Sequence, residues 1–338
     1  MLYLKAIQRI TQIRLTMKKC LTTLVLGITC LTGFAQQDPQ FTQFMYAKLF
    51  TNPAYAGTSG AICANLIGRA QWTGFPGAPN TYLLCLDGSV TNHIGVGLSV
   101  VDDQLGFDKT LGVKLSGAYM IPVMSGLGKL SFGLELGIQN KTISGNSIAP
   151  DGSSTSSGNI TDAAIPPSFS STNYDLGFGI YFSHLNGTYF GLSSTHLPDQ
   201  GESLSSKNYK FDVARHYYVT AGTVLALGSS NFDLRPNLLV KSDAKVTTFD
   251  VNVNVLWNKM FWLGVSYRMQ DAIAPMLGFQ KSMGPPATAL TWKIGYSYDV
   301  TTSEIKNHSS GSHEIFLGVC KKLDKEPKPE SWEDVRFF

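Results

Sequence analysis

The residues that could do chemistry are scattered along the chain and form no recognisable catalytic or metal-binding motif. The six histidines are isolated from one another, and no pair of histidines or cysteines has the spacing of metal ligands. The sequence lacks an HExxH motif, a G-x-S-x-G nucleophile elbow and a glycine-rich phosphate loop. A serine–histidine–aspartate triad assembled from distant strands is the alternative, but we predict a protein that is not an enzyme and has no cofactor.

One acidic group, Asp102, Asp103 and Asp108, falls in a predicted outer loop. Carboxylates in such a loop can bind calcium weakly. We favour a solvated turn, so no metal site is predicted.

The first 35 residues have the features of a secretory signal peptide. A basic segment at 17–19 precedes an apolar run at 20–31, and the small-residue cleavage site ends at Ala35. We favour Met17 over Met1 as the start of the chain. Removing residues 1–35 takes away five cations and no acidic residue, so the net charge falls by five, from +3 to −2. This charge gives no support for nucleic-acid binding, which needs a clustered basic face.

Three of the five cysteines remain after cleavage: Cys63, Cys85 and Cys320. Cys63 and Cys85 fall on predicted neighbouring strands, so a disulfide between them is one interpretation for an oxidising compartment. Free thiols that are buried or face lipid are the alternative.

The elements that must position these residues are strands, because apolar and polar residues alternate from about residue 60 to residue 322. For example, Phe249, Val251 and Val253 alternate with Asp250 and Asn252. Many runs have about ten to fifteen residues, longer than usual soluble strands, and only 15% of the chain is charged. Fourteen such runs predict an all-β transmembrane barrel of about 14 antiparallel strands that faces outer-membrane lipid, rather than a soluble sandwich.

Loop lengths predict how the barrel lies in the membrane. An even strand number places both termini at one end, which we assign to the periplasm. The long connections at 142–171 and 195–209 then fall outside the cell. The predicted parts are a signal peptide at 1–35, an N-terminal plug or strap at 36–59, the barrel at 60–322 and a periplasmic tail at 323–338.

Polar residues on the inner face leave two interpretations of the lumen open. Asp233, Arg235 and Lys241 carry both signs of charge and face Asp250, Asn252 and Asn254 of the next predicted strand. They form either a crossed-charge network that fills the barrel or the lining of a selective pore.

The segment Asp38–Gly57, DPQFTQFMYAKLFTNPAYAG, is dense in aromatic residues but has neither helical nor strand period. Prolines keep it from forming one regular element, so we interpret it as a plug, with a simple leader into the first strand as the alternative. Its candidate packing and partner residues are Asp38, Pro39, Phe41, Phe44, Tyr46, Asn52, Pro53, Tyr55 and Gly57. In the charged tail, Trp332, Phe337 and Phe338 are candidate anchors for a partner, with a disordered end as the alternative.

The segment at 38–57 resembles the N-terminal signature of the PorP/SprF family. Three further stretches are similar to family features, and the resemblance extends in order over nearly the whole mature chain. They contain Arg69 and Trp72 in Arg69-Ala70-Gln71-Trp72, His196 and Pro198 in His196-Leu197-Pro198, and His313 and Glu314 in Gly311-Ser312-His313-Glu314-Ile315.

The resemblance implies a component of the type IX secretion system and gliding machinery in the bacterial outer membrane. Implied partners are periplasmic ring and motor components, and the implied task is export or surface attachment of cargo proteins. A passive outer-membrane channel for small or hydrophobic solutes is the rival prediction. The plug separates the two, because a transporter hatch contacts a ligand whereas a secretion component contacts proteins.

Overall fold

A computed structural model describes residues 38–143, 169–198, 202–203, 210–211, 213–228 and 231–323. The predicted signal peptide, most of the connection at 142–171 and the tail from residue 324, with Trp332, Phe337 and Phe338, lie outside the described residues.

Fourteen antiparallel strands of the described chain form one closed barrel, as the alternation predicts. They are β1 (Ala61–Ala70), β2 (Asn80–Ser89), β3 (Ile94–Leu105), β4 (Asp108–Val123), β5 (Gly128–Ile143), β6 (Phe169–His184), β7 (Tyr189–Thr195), β8 (His216–Gly222, continued by Leu225–Ala226), β9 (Phe232–Ser242), β10 (Thr247–Trp257), β11 (Phe261–Arg268), β12 (Ala272–Met283), β13 (Leu290–Thr301) and β14 (Ser312–Lys322).

Each strand pairs with its neighbours in the sequence, and β1 pairs with β14 to close the wall. The pairing of β1 with β14 runs from Ala61↔Lys322 to Ala70↔His313. The alternation predicts one strand at 210–228. In the structure, a two-residue ladder outside the barrel joins Glu202–Ser203 to Lys210–Phe211, and β8 begins at His216, so the predicted start is wrong. None of the helical segments in the described chain has the length and hydrophobicity of a membrane-spanning helix.

The outer surface carries the apolar half of the alternation. Leu134 and Leu263 expose 66% and 67% of their side chains, whereas Ser131 and Glu135 of β5 are buried inside. This arrangement suits a wall that faces lipid outside and a polar filling inside. Trp257 and Phe261 lie on the outer surface as an aromatic belt requires.

Aromatic residues near strand ends are expected in the interfacial belt, but two of them face inward. Trp262 and Tyr218 are each only 3% exposed. They occupy the inward phase of β11 and β8, because successive side chains point to opposite faces of a strand.

The barrel has two unlike ends. We call the end where β1 begins and β14 ends the near mouth, and the opposite end the far mouth. Connections at the near mouth are short, for example 90–93, 185–188 and 258–260. The longest connections, 144–168 and 196–215, join strands at the far mouth, as the loop pattern predicts.

A disulfide joins the first and last strands across the closure of the barrel. Cys63 of β1 lies directly opposite Cys320 of β14, and these two cysteines are bonded. The Cys63–Cys85 disulfide, one of the two interpretations left open by the sequence, is therefore not formed. Cys85 of β2 is a free, buried thiol, because its register partner on β1 is Asn65 and not Cys63.

Candidate functional site: the plugged lumen

The segment Asp38–Gly57, which we call the plug, lies inside the barrel. It contains three short helical turns at Phe44–Tyr46, Lys48–Thr51 and Pro53–Tyr55. Asn52 caps the third turn by accepting a hydrogen bond from the Ala54 amide (2.9 Å), with Pro53 in the first helical position, where its missing N–H costs nothing. These breaks let a short chain turn within the lumen and reach different sides of the wall.

Glu314 and Arg69 hold the plug at the seam between β1 and β14. The Glu314 carboxylate accepts hydrogen bonds from the backbone amides of Thr42 (2.8 Å) and Gln43 (2.7 Å). Arg69 contacts the same carboxylate at 3.0 Å and the Asp299 carboxylate at 2.7 Å. All these side chains are buried, so each charge depends on its partners for the solvation it has lost.

A second arginine extends this network around the wall. Arg268 of β11 contacts Asp250 at 3.1 Å, Asp271 at 3.0 Å and Asp299 at 3.3 Å. Asp299 also accepts a hydrogen bond from the Thr42 hydroxyl at 2.7 Å. The Thr42 side chain thereby ties the plug to Asp299 of β13, and Arg268 links Asp299 to Asp250 of β10.

Asp38, the first described residue of the plug, is held by histidines from the β7–β8 connection and from β8. Its carboxylate lies 2.9 Å from His196 Nε2 and accepts a hydrogen bond from the Tyr218 hydroxyl. Its amide donates to His216 Nε2 at 3.3 Å, and Lys241 Nζ donates to its carbonyl at 2.9 Å. Burial by itself raises the pKa of Asp38, but the charges of His196 and His216 outweigh it and hold this pKa well below its usual value.

His196 connects the plug to a charged cluster in the wall. Its Nδ1 lies 2.9 Å from Asp175, and Lys114 bridges Asp175 (2.9 Å) and Glu135 (3.0 Å). Burial lowers the pKa of His196, but the Asp38 charge and the hydrogen bond with Asp175 raise it to about 9. At neutral pH His196 is therefore protonated and lies as an imidazolium between the Asp38 and Asp175 carboxylates.

The opposite wall holds the plug through Asn52. Its side-chain amide donates to the carbonyls of Ile180 (3.0 Å) and Leu192 (3.2 Å) on β6 and β7. Gly133 and Gly179 permit this approach, because a Cβ at either position would overlap the plug at Ala54 or Asn52.

Apolar side chains fill the space between these polar anchors. Tyr46 stacks on Phe316 with ring centroids 4.2 Å apart, and Phe41 meets Phe50 edge-on at 5.6 Å. Phe44 packs in a buried cluster with Met276 of β12. The plug therefore has a hydrophobic core of its own with the wall, which a simple leader does not need.

Lys48 of the plug is buried, and its surroundings disfavour the charged form of its amino group. Its Nζ lies 3.5 Å from the centroid of the Tyr189 ring, which offers a cation–π contact. Burial, followed by the charges of Lys293 and Arg235, lowers the pKa of Lys48 to about 7.

The plug leaves the lumen at the near mouth. Gly57 has φ +70 and its amide donates to Asp87 of β2 at 3.1 Å. A side chain at Gly57 would also meet the backbone of Gly88 and Gly95. Glycine is therefore required both for the positive φ and because there is no room for a Cβ.

A cavity of about 650 Å³ lies on the far-mouth side of the plug. Asp38, Phe50 and Lys114 contribute to its floor and walls, and Trp72 and Leu105 lie toward the rim. Trp72 has φ +49, and its amide donates to Ser312 at 2.9 Å.

The structure brings together Arg69, Glu314 and His196 of the family-like residues, all against the plug. Trp72 lines the cavity, while Pro198 is half-buried in the far-mouth connection. His313 faces outward, where its Nδ1 lies 2.7 Å from the Tyr296 hydroxyl.

The acidic group of the sequence is satisfied by neighbouring side chains. Asp102 pairs with Lys109 (3.2 Å), Asp108 pairs with Lys141 and Asp103 accepts a hydrogen bond from a threonine hydroxyl.

Inside the barrel, the polar residues predicted on β9 and β10 face inward, with Asp233 3.6 Å from Arg235. The crossed-charge interpretation of the lumen fits these ion pairs.

Sequence reasoning missed Arg268, Asp299 and Lys114, three residues that carry the charged networks. Their signal is present in the alternation, because each falls in the inward phase of its strand. A charged residue in the inward phase of a membrane strand needs a charged or polar partner inside the barrel.

The wall, the belt and the filled lumen define a transmembrane β-barrel closed by its own N-terminal segment. The family described as "Type IX secretion system membrane protein PorP/SprF" matches residues 33–319. The chain belongs to this family, and with the barrel fold it is an outer-membrane component of the type IX secretion system.

Solved structures with a similar fold are outer-membrane proteins of low sequence identity. A Pseudomonas aeruginosa FadL homologue has 12% identity and TM-score 0.43, covering 82% of this chain and 94% of its own. The CymD monoaromatic hydrocarbon channel has 12% identity and TM-score 0.43, covering 82% and 93%. The β domain of the Bordetella autotransporter Brka has 12% identity and TM-score 0.36, covering 78% and 99%. No curated protein matches the sequence.

Proposed function

We propose that the chain is a plugged outer-membrane anchor of the type IX secretion and gliding machinery, whose near mouth faces the periplasm. Short connections at the near mouth and long ones at the far mouth support this orientation, because outer-membrane barrels have short periplasmic turns. The signal peptide predicted at 1–35 is then cleaved before the barrel is inserted. No catalytic step is part of the proposal.

The observation that carries the proposal is the attachment of the plug to opposite walls. Glu314 and Arg69 hold it at the seam, and Asn52 holds it on β6 and β7. Opening a pore would take the Thr42 and Gln43 amides away from the Glu314 carboxylate and separate Asp38 from His196, so several buried polar contacts would be lost at once. A rigid, filled barrel suits a protein that presents surfaces to other proteins.

The proposed partners differ between the two mouths. Periplasmic ring and motor components contact the near mouth and the tail, with Trp332, Phe337 and Phe338 as anchors. Exported cargo proteins bind or become attached at the far mouth, where the long connections and the cavity lie.

Deleting the protein in its native cell tests the proposal. We expect loss of some secreted or surface-attached proteins and impaired gliding, with restoration by the full chain and not by a chain that ends at residue 323. Unchanged export and gliding together with a new nutrient defect would overturn it.

The rival function, a passive channel for small or hydrophobic solutes, is favoured by one observation, the cavity of about 650 Å³ above the plug. Planar-bilayer recording separates the two functions. A plugged anchor is nearly silent, whereas a channel conducts or transports without any change to the plug.

A further inference from the structure

We propose that Asp38, His196 and His216 bind a divalent transition-metal ion of the zinc class, which ties the start of the plug to two histidines of the wall. The donor atoms of these side chains lie within 4.8 Å of one another. Two imidazole nitrogens and one carboxylate oxygen are a common donor set of zinc sites with three protein ligands. This inference goes beyond the proposed anchor function.

Each histidine has a backing contact of the kind that metal-binding histidines usually have. His196 uses Nδ1 against the Asp175 carboxylate (2.9 Å), and His216 uses Nδ1 against the Ala214 carbonyl (2.9 Å). His196 thereby turns Nε2 to the Asp38 carboxylate at 2.9 Å. His216 Nε2 accepts from the Asp38 backbone amide at 3.3 Å, and His216 Nδ1 lies 3.9 Å from Asp38 Oδ2, so His216 must give up one of its present contacts to bind a metal. A carboxylate or carbonyl behind the ring fixes its tautomer and raises its basicity toward a metal. Because His196 is an imidazolium in the metal-free protein, zinc binding releases its Nε2 proton to solvent while Asp175 keeps the hydrogen bond with Nδ1–H.

The backbone places His196 at some energetic cost. Its φ is +55, in the left-handed region that a residue with a Cβ seldom occupies. Such a conformation persists only where the surroundings enforce it, and it often marks a functional position. Here it aims the imidazole at Asp38.

The site has access to water and to ions. Asp38, His196 and His216 all line the cavity of about 650 Å³, so a solvent molecule can supply the fourth ligand. Tetrahedral bonds of about 2.05 Å place ligand atoms roughly 3.3 Å apart. The Asp38–His196 distance of 2.9 Å is close to that value, and His216 must approach by a small ring movement.

Two lysines near the site would repel a bound cation, but each already contacts an oxygen atom of a neighbouring residue. Lys114 bridges Asp175 and Glu135, and Lys241 donates to the Asp38 carbonyl. The carboxylates of the cluster therefore offset most of the local positive charge. Tyr218 donates to Asp38 Oδ2, which leaves Oδ1 as the oxygen directed at His196.

Zinc binding by the purified full chain tests the site. The protein is produced without a polyhistidine tag, stripped with a chelator and titrated with zinc chloride, and metal content and heat of binding are measured. We expect about one zinc per chain with micromolar or tighter affinity, and a loss of at least about tenfold in His216→Gln or His196→Gln. His308→Gln, which changes an exposed histidine at the far mouth, is the matched control and keeps full binding.

X-ray absorption at the zinc edge is measured on the wild-type protein, so its result does not depend on whether a variant folds. We expect imidazole scattering from two histidines in the loaded wild-type protein. Background zinc content, binding that His216→Gln leaves unchanged, or a shell of oxygen ligands alone would each overturn the site.

Discussion

Glu314 is the residue on which the plug depends most directly. One buried carboxylate accepts two plug amides and one arginine, so its removal leaves several polar groups without partners at once. The pairing Arg69↔Glu314 also lies in the β1–β14 register, which links plug docking to barrel closure.

We therefore expect Glu314→Ala to destabilise the plugged barrel by about 3–5 kcal/mol, the usual cost of removing one partner of a buried ion pair. Denaturation followed by heat-modifiable gel mobility measures the loss. Glu304→Ala, at an exposed turn of the far mouth, is the control and should change stability little. Equal stability of the two variants would mean that Glu314 does not fasten the plug.

Lys48 gives the plug a dependence on pH. Its pKa is lowered to about 7 in the folded protein, below its ordinary value, so protonation is disfavoured in the docked state. The resulting penalty is absent above the ordinary lysine pKa, grows as the pH falls through the alkaline range and is complete below about pH 7.

Plug docking should accordingly weaken as the pH falls from about 10 toward 7. Conductance events recorded in a planar bilayer should become more frequent over this range. Lys48→Met, which keeps length without charge, should flatten the profile. A wild-type profile that Lys48→Met leaves unaltered would assign the pH effect to another group.

The elements were largely predictable, because strand alternation is a local property of the sequence. The number of strands, the closed barrel and the placement of long connections follow from it. The boundaries of β8 were wrong, since Lys210–Phe211 pairs with its own short ladder instead of continuing into the wall. Nothing local distinguishes a strand of the wall from a strand of a loop.

Close approach between the plug and the strands depends on inward-facing glycines. Gly133→Ala would place a Cβ into the Ala54 backbone, whereas a Cβ at Gly117 of β4 meets no other atom. We expect Gly133→Ala to displace the plug and raise proteolysis of the N-terminal segment, while Gly117→Ala has no such effect. Limited proteolysis with N-terminal sequencing measures this, and equal protection of both variants would contradict the close contact.

The whole molecule was less predictable than its strands. Arg69, Glu314 and His196 were identified through resemblance, but Arg268 and Asp299 were not. Their contacts require β1 and β14 to meet and the plug to enter the lumen, which are long-range events without a local signal. The Cys63–Cys320 disulfide was not foreseen for the same reason, because Cys320 is adjacent to Cys63 only after closure.

The closure disulfide gives a prediction for the whole molecule. Cys63→Ser should lower stability by about 2–5 kcal/mol, as loss of a native disulfide commonly does. Non-reducing electrophoresis of the unfolded chain should show slower migration for this variant, because the loop between Cys63 and Cys320 is no longer closed. Cys85→Ser removes a free thiol and should keep the fast mobility. Identical mobility of wild type and Cys63→Ser would show that the bond does not form.

The same bond limits how the barrel can exchange material with its surroundings. Every other junction of the wall is joined by a hairpin connection, and only the seam between β1 and β14 has none, so it is where a barrel wall parts most easily. With Cys63 and Cys320 joined, the two strands of this seam are linked covalently as well. A sideways opening at this seam would first require that the bond be reduced, so the disulfide ties lateral access at the seam to the redox state of the surroundings.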